Sequence, residues 1–399
     1  MNASTLPIFG AFFTWGFGTG AQNLGRPLFA YAATGNVFLV GVMLAASALP
    51  RMFTGPITGY LTDRLGRKPL AILGAFVRGL TNLGQFFADD YATFLALEVA
   101  GQIGVAMWGT SSAVLLADVT STSNRGHVLA LRHMSMRLGF VAGPVLGGAL
   151  ALAFDLQAVF LLNALSKFLI VLLVLFLVSE TRPEAAPAAS PRAAAQRPQR
   201  RFSLQPFRDR SFVALAAATI AFACMQAGVV QALVPVHAQE VLGANEAQVG
   251  LLLTLSPVFA FIFAFPNGLL SDKLGRKASL VPGLLLLATA AFVLNLGSIY
   301  PLLIAAMMVQ GTGEALTLGT VQTYAMDLAP AHGRGAFIGM WNMTQSTGAT
   351  LGPLLLAGLY EFAGPAAAFL CVAGLLLLAA TLIATLARET AGRNAVPST

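Results

Sequence analysis

Two acidic residues stand inside long apolar stretches of the sequence, where a charge is costly unless it has a use. Glu314 lies 13 residues before Asp327, about 20 Å along a helix. Glu98 lies 20 residues before Asp118, about 30 Å along a helix. A carboxyl group in apolar surroundings can bind and release a proton. We therefore predict proton exchange at Glu314 or Glu98, with an ordinary solvated position as the alternative for Glu98.

Arg51 is the predicted partner of Glu314. It precedes Asp63 by 12 residues, so it lies at a similar depth along its own helix. If the two side chains meet, a proton taken up by Glu314 would release Arg51, which would link proton binding to a conformational change. The alternative is a structural ion pair with no such link.

The composition places these charges in a membrane. Of the 399 residues, 57% are hydrophobic and only 10% are charged, with a mean hydropathy of +0.76. A soluble domain of this size needs more charge to cover its surface. The net charge of +7 is concentrated in short loops, which predicts membrane orientation and no nucleic-acid binding. No metal-ligand spacing, phosphate loop or nucleophile motif is present, so we expect no metal, no cofactor and no enzyme activity.

Twelve apolar runs are long enough to cross about 30 Å of hydrocarbon. They cover residues 6–31, 37–62, 70–88, 92–119, 128–153, 158–178, 211–237, 248–270, 278–296, 301–328, 336–360 and 366–387. This pattern predicts an all-α membrane protein with one six-helix bundle over 1–180 and a second over 208–390. A linker over 181–207, rich in Ala and Pro, separates the bundles, and a tail covers 391–399.

The two predicted bundles share a repeated loop. Gly59-x-x-x-Asp63-Arg64-x-Gly66-Arg67-Lys68 returns 209 residues later, around Asp272 and Arg276. Other landmarks keep the same offset without gaps, which indicates a duplicated six-helix unit. We predict an ion-pair cluster at this end of each bundle that holds one conformation closed. Its members are Asp63, Arg67, Asp118, Arg125, Asp272, Arg276, Asp327 and Arg334.

Basic residues indicate the orientation. Seventeen of the 23 lie in the repeated loops, the linker, the tail and the other loops on the same side, whereas the opposite loops carry only acids. By the positive-inside rule, the repeated loops and both termini face the cytoplasm.

A run of glycines around a proline marks the fifth apolar segment. Gly139, Gly143 and Gly147 share one helix face, which permits close helix packing, and Pro144 removes one backbone hydrogen bond. Gly148 completes the motif. The second half keeps only part of it, at Gly348, Gly352 and Pro353.

These features together resemble the major facilitator superfamily of secondary transporters. The repeated loop matches the general signature of that family, and the Gly139–Gly148 motif is similar to the signature of its 12-span drug:proton antiporter branch. The resemblance implies two pseudo-symmetric bundles around a central cavity, with the ion-pair cluster acting as a cytoplasmic gate. The branch usually carries an arginine at the position of Glu98, so this chain departs from it there.

The resemblance also implies which residues face a substrate. The first span lines the cavity in this family, so Gln22, Asn23 and Arg26 are candidates, together with Arg51 and Glu314. The first span contains no acid, a departure from exporters of cationic drugs.

The resemblance therefore implies a monomeric exporter of small organic molecules in the bacterial cytoplasmic membrane, driven by the proton gradient. The alternatives are a uniporter or exchanger for an organic or lipid-like anion and, from another class, a membrane receptor or enzyme. The anion carrier would be favoured if Arg26 or Arg51 lined the cavity while Glu314 and Glu98 did not.

Overall fold

The computed structural model describes residues 5–118, 120, 125–180, 209–330 and 334–391. Within these ranges, the side chains of 5, 49, 51–53, 55, 56, 63, 125–127 and 334–336 are not part of the description. The predicted linker at 181–207 and residues 392–399 of the predicted tail lie outside the described residues.

The first half of the described chain forms six helices. They are α1 (Thr5–Thr34), α2 (Val37–Leu65), α3 (Arg67–Phe86), α4 (Tyr91–Asp118), α5 (Arg125–Ala153) and α6 (Ala158–Leu177). Within this half α1 packs on α5 and α6, α3 packs on α4 and α6, and α2 packs on α4.

The second half of the described chain forms six more. They are α7 (Arg210–Glu240), α8 (Glu246–Leu274), α9 (Arg276–Leu296), α10 (Tyr300–Leu328), α11 (Arg334–Ala363) and α12 (Pro365–Leu386). The predicted all-α, twelve-helix architecture in two bundles is therefore confirmed. The helices extend a few residues beyond the apolar runs because polar residues continue the last turns.

The outer surface of the bundle is apolar. Eight helices in the described ranges are long and apolar enough to cross a membrane on their own. Large side chains such as Phe176, Phe265 and Phe362 are about three-quarters exposed on the outside. Such a surface is stable against lipid and unstable in water, so the helices form an integral, multi-pass membrane bundle.

Equivalent contacts recur in both halves at the 209-residue offset. Gly66 and Gly275 both have φ = 105°, a value that favours glycine, and each separates two consecutive helices. The hydroxyl of Tyr91 donates to the Leu39 carbonyl at 2.8 Å, and that of Tyr300 donates to the Gln248 carbonyl at 2.8 Å. The duplication read from the loops thus extends to hydrogen bonds in the structure.

Helix α7 contains a π-helical segment, Met225–Leu233. The Val234 amide donates to the Val229 carbonyl, five residues back. Pro235 follows immediately and has no N–H, and its ring crowds the carbonyl four residues earlier, which disfavours the regular helical bond there. The wider turn changes the direction in which side chains of this segment project.

Candidate functional site

A cavity of about 670 Å³ lies between the two halves. From the first half it is lined by Gly20, Asn23, His133, Met136, Arg137, Phe140 and Pro144. From the second half its lining includes Gln226, Val230, Gln231, Leu253, Ser256, Pro257, Glu314, Leu318 and Gln322. It extends to Asp272 and Arg276, so it reaches the end of the bundle that carries the repeated loops.

Glu314 is an acid that lines this cavity and lies between the two halves. Its Oε2 accepts hydrogen bonds from Gln226 Nε2 at 2.8 Å and from Ser256 Oγ at 3.2 Å. Gln226 lies in the π-helical segment and Ser256 on α8, so three helices of the second half position this carboxylate. Its Oε1 lies 3.7 Å from Arg137 Nη2, which α5 brings from the first half.

The ion-pair partner described for Glu314 is therefore Arg137, to which the sequence analysis assigned no role. The position of Arg137 along its helix could have identified it as a partner. Arg137 lies 12 residues into α5, about 18 Å along the helix. Arg51 likewise lies 12 residues from Asp63, so both arginines lie at a similar depth. The predicted pair of Glu314 with Arg51 stays a prediction, since the Arg51 side chain is outside the described residues.

Glu98 is at the centre of a second polar cluster, which lies inside the first half. Its side chain is 0% exposed and forms ion pairs with Arg26 Nη1 at 3.0 Å and Arg78 Nη2 at 3.0 Å. Three amide side chains also donate to it, at 2.8 to 3.2 Å; they belong to Gln22, Gln85 and Gln102. The alternative of an ordinary solvated position for Glu98 is therefore wrong.

Gln22 and Arg26 belong to this buried cluster, which corrects the prediction that they line the cavity. They are four residues apart on α1, so they share a face, and that face is turned to α3 and α4. Asn23 lies about 100° round the helix from Gln22 and does line the cavity. Arg26 Nη2 donates to Asn23 Oδ1 at 2.6 Å, so one hydrogen bond joins the cluster to the cavity.

A fully buried lysine, Lys167, extends the polar interior of the first half. Its Nζ donates to the Trp15 carbonyl at 3.2 Å and to Thr19 Oγ1 at 3.4 Å, and it lies 4.4 Å from the Trp15 ring centroid. These contacts with α1 give the Lys167 amine a structural role, because it links α6 to α1.

The end of the cavity opposite the repeated loops is closed by contacts between the halves. Gly250 on α8 lies against the backbone of Pro144, and the symmetry-related Gly41 on α2 lies against the backbone of Pro353. The Val37 amide also donates to Glu361 Oε2 across the halves, at 2.8 Å. The described structure is thus open towards one end and sealed at the other.

The Gly139–Gly148 motif supplies part of this seal. Gly139, Gly143 and Gly147 contact the backbone of α1, where a Cβ would clash. Gly148 contacts Glu246 and Ala247 of the other half. The motif therefore allows two close helix contacts, one within its half and one between the halves.

A side chain at Gly250 should oppose this closure. A Cβ there would clash with the Pro144 carbonyl, and overpacking of this kind costs about 1–3 kcal/mol. The probe is Phe38→Cys, which lies near the seal, labelled with a membrane-impermeant maleimide. We expect Gly250→Val to raise its labelling rate about fivefold. The background would be Cys224→Ala/Cys371→Ala.

The control for this experiment is Gly374→Val, because a Cβ at Gly374 has nothing within 4 Å. Equal labelling rates for the Gly250 and Gly374 variants would contradict the assigned seal.

The predicted gate residues form ion pairs within each half. Arg67 Nε lies 3.1 Å from Asp118 Oδ2, and Arg276 lies 2.9 Å from Asp327 and 2.8 Å from Asp272. The side chains of Asp63, Arg125 and Arg334 lie outside the described residues. These pairs frame the open end, and their role as a gate stays a prediction.

Two carboxylates at this end were missed in the sequence. Glu180 accepts from the backbone amides of Arg67 and Lys68 at 3.2 and 3.1 Å, and Glu389 accepts from those of Arg276 and Lys277 at 2.7 and 3.1 Å. Each carboxylate thus caps the N-terminus of a helix that follows a repeated loop. The 209-residue offset between Glu180 and Glu389 could have identified them.

We expect Glu389→Gln to destabilise the protein through this helix terminus. A neutral amide loses about 1 kcal/mol of interaction with the helix N-terminus, which for a chain of 399 residues lowers Tm by roughly 1 °C. Thermal unfolding of purified protein would measure it. Glu180→Gln should act equally and the double variant additively, because the sites are far apart. An unchanged Tm in both single variants would refute the capping role.

These features define a class of protein: a membrane carrier made of two six-helix halves around a cavity that is open at one end and carries charged side chains from both halves. The sequence profile of the Major Facilitator Superfamily matches residues 8–245 and 215–399. The chain belongs to this superfamily, whose members are transporters and not enzymes.

Individual relatives agree with this assignment. The chain is 27% identical over 333 residues to the tetracycline resistance protein, class B, of Escherichia coli, covering 82% of this chain and 80% of that protein. The crystal structure of the peptide transporter POT in complex with sulfate has a TM-score of 0.78 at 17% identity, covering 96% of this chain and 94% of that one. The human organic anion transporter MFSD10 has a TM-score of 0.65 at 19% identity, covering 96% and 99%. The two structures share the fold.

Proposed function

We propose that this transporter exports small organic molecules from the cytoplasm by proton antiport. The observation that carries the proposal is the position of Glu314, a carboxylate that lines the cavity and has an ion-pair partner on the other half. A group in this place can exchange a proton with either side of the membrane as the cavity changes its opening.

The mechanism follows from the contacts at both ends. Substrate enters the open end and reaches Glu314 and Arg137. The halves then rock, so the seal at Gly250 and Gly41 parts while the end that carries the repeated loops closes. Arrival of a proton at Glu314 from the far side displaces the substrate. The protonated carrier then returns to its first opening, and Glu314 releases the proton there before the next substrate binds.

The cavity lining favours this function over an anion carrier. Arg26 is buried in the first half, paired with Glu98, whereas Glu314 lines the cavity. The organic-anion carrier was expected to have Arg26 or Arg51 in the cavity without Glu314 or Glu98, and this condition is not met, because Glu314 lines the cavity. Relatives named for tetracycline resistance support export, and they make tetracycline the first compound to test.

We further propose that the open end faces the cytoplasm of a bacterium and that the protein works as a monomer. The basic loops indicate this orientation, and the cavity is formed within one chain. No cofactor beyond the proton gradient is proposed.

Transport into everted membrane vesicles tests the function. We expect an imposed gradient, acidic inside the vesicle, to drive tetracycline accumulation, and nigericin, which collapses the pH difference, to abolish it. Export that continues at the same rate with nigericin present would overturn proton antiport. Entry of substrate down its gradient alone would favour the uniporter.

A further inference from the structure

We propose that the cavity selects zwitterions: small amphiphilic molecules that carry a cationic amine and an acidic group together. The proposal rests on the proposed function for one point, that the substrate occupies this cavity. Its basis is the pair of opposite charges, Arg137 on α5 and Glu314 on α10, that face each other across the two halves.

The Arg137–Glu314 ion pair is longer than a hydrogen bond, so its two groups are not fully hydrogen-bonded to each other. Its 3.7 Å separation exceeds hydrogen-bond length, whereas the buried Arg26–Glu98 pair is 3.0 Å. Within the described part of the chain, this contact is the one polar interaction of the Arg137 guanidinium. Both groups therefore keep hydrogen-bonding capacity for a ligand.

The two oxygens of Glu314 are used differently. Oε2 accepts hydrogen bonds from Gln226 and Ser256, which both belong to the same half as Glu314. Oε1 points to Arg137 and receives no hydrogen bond in the described structure. An ammonium group can thus bind Oε1 without displacing the donors that hold the carboxylate in position.

A ligand with a single charge fits this site poorly. The side chains of Arg137 and Glu314 are only 28% and 15% exposed, so each loses much of its hydration. A cation that binds Glu314 leaves Arg137 without its ion-pair partner. An anion that binds Arg137 leaves Glu314 without its ion-pair partner. A molecule with both charges replaces both partners, and the unpaired charge is avoided.

The rest of the lining suits an amphiphile. Phe140, Leu253 and Leu318 supply apolar surface, and Asn23 and Gln231 supply uncharged polar groups. The volume of about 670 Å³ is that of sites for drug-sized ligands. Because the two charges belong to different halves, a bound zwitterion also bridges the halves.

Equilibrium binding to the purified full-length protein tests the proposal. The probes are ciprofloxacin and the dipeptide Phe-Phe, both zwitterions at pH 7, each with its methyl ester and its N-acetyl derivative. We expect calorimetry to show at least tenfold tighter binding of a zwitterion than of either of its blocked forms. The Arg137→Gln/Glu314→Gln variant should reduce this ratio below threefold.

Arg132→Gln is the matched control, since Arg132 lies five residues away on α5 and contacts the Phe12 ring, 4.8 Å to the centroid. It should keep the tenfold preference, and so should the reversed pair, Arg137→Glu/Glu314→Arg. Three results would overturn the proposal. The first is a zwitterion preference that survives in the Arg137→Gln/Glu314→Gln variant. The others are an ester that binds as well as its zwitterion, and the failure of both zwitterions to bind at 1 mM.

This experiment separates the inference from the proposed function, because binding in detergent needs no gradient. A retained zwitterion preference with transport that ignores the gradient would remove proton antiport alone. Gradient-driven export of singly charged compounds would remove the zwitterion proposal alone.

Discussion

Replacing Glu314 with Gln should uncouple transport from the proton gradient. The amide keeps the size of the side chain and can still accept from Gln226, but it cannot bind a proton at physiological pH. Across one pH unit, exchange of one proton supports a substrate ratio of about tenfold, equivalent to about 1.4 kcal/mol. We expect this accumulation to fall to a ratio of about one in the variant.

Proteoliposomes with an imposed pH difference provide the measurement. Two assays are needed: gradient-driven accumulation, and exchange of labelled for unlabelled substrate with no gradient. The variant should lose the first and keep a measurable part of the second, because exchange requires no net proton movement. Loss of both would indicate a binding defect.

Glu246→Gln is the control, because Glu246 is an acid of the second half at the start of α8, outside the cavity lining. It should accumulate substrate as the wild type does. Undiminished accumulation by Glu314→Gln would exclude this carboxylate as the coupling group.

Much of the fold was predictable from the sequence because the information is repeated. The loops at Asp63 and Asp272 fix the offset between halves, and the apolar runs fix the helices. The depth of a residue in the membrane was also predictable, because a helix rises about 1.5 Å per residue. This rise predicted that Glu314 lies well inside its span, and in the structure Glu314 lines the cavity.

The direction of side chains around each helix was not predictable. Asn23 and Arg26 belong to the same segment of α1, yet one faces the cavity and the other the interior of its half. That choice depends on how α1 rotates against α3 and α4. In the absence of an alternation between lipid and core residues, the sequence carries little information about it. The assignment of Arg26 to the cavity failed for this reason.

The π-helical segment of α7 was invisible for a related reason. Its one local signal, Pro235, predicts an interruption of the helix but does not distinguish a kink from a π-helical turn. The segment carries Gln226, which donates to Glu314. A reading of depth alone could therefore locate the acid but not the donors that surround it.

Removal of the charge at Glu98 should destabilise the protein far more than it alters transport. The carboxylate is fully buried and receives five donors, two of them guanidinium groups. Glu98→Gln removes the one negative charge between Arg26 and Arg78 and turns an NH₂ group towards donors. Breaking a buried pair in this way costs about 3–5 kcal/mol.

We expect Glu98→Gln to lower Tm by roughly 4–6 °C and to reduce the yield of monodisperse protein in detergent. Adding Arg78→Gln should recover part of the loss, because only one of the two guanidinium groups, that of Arg26, is then left without its carboxylate partner. Gln102→Ala, which removes one amide donor and no charge, is the comparison and should cost about 1 kcal/mol.

The same variants decide whether Glu98 is a structural ion-pair centre or the proton-exchange group predicted from the sequence. A structural ion-pair centre predicts that any Glu98→Gln protein that does fold keeps gradient-driven accumulation, since the proton site at Glu314 is intact. A coupling role predicts a stable variant that binds substrate and no longer responds to pH. The burial and the two 3.0 Å ion pairs favour the first outcome, because an acid fixed by five donors is poorly placed to meet water on alternate sides of the membrane.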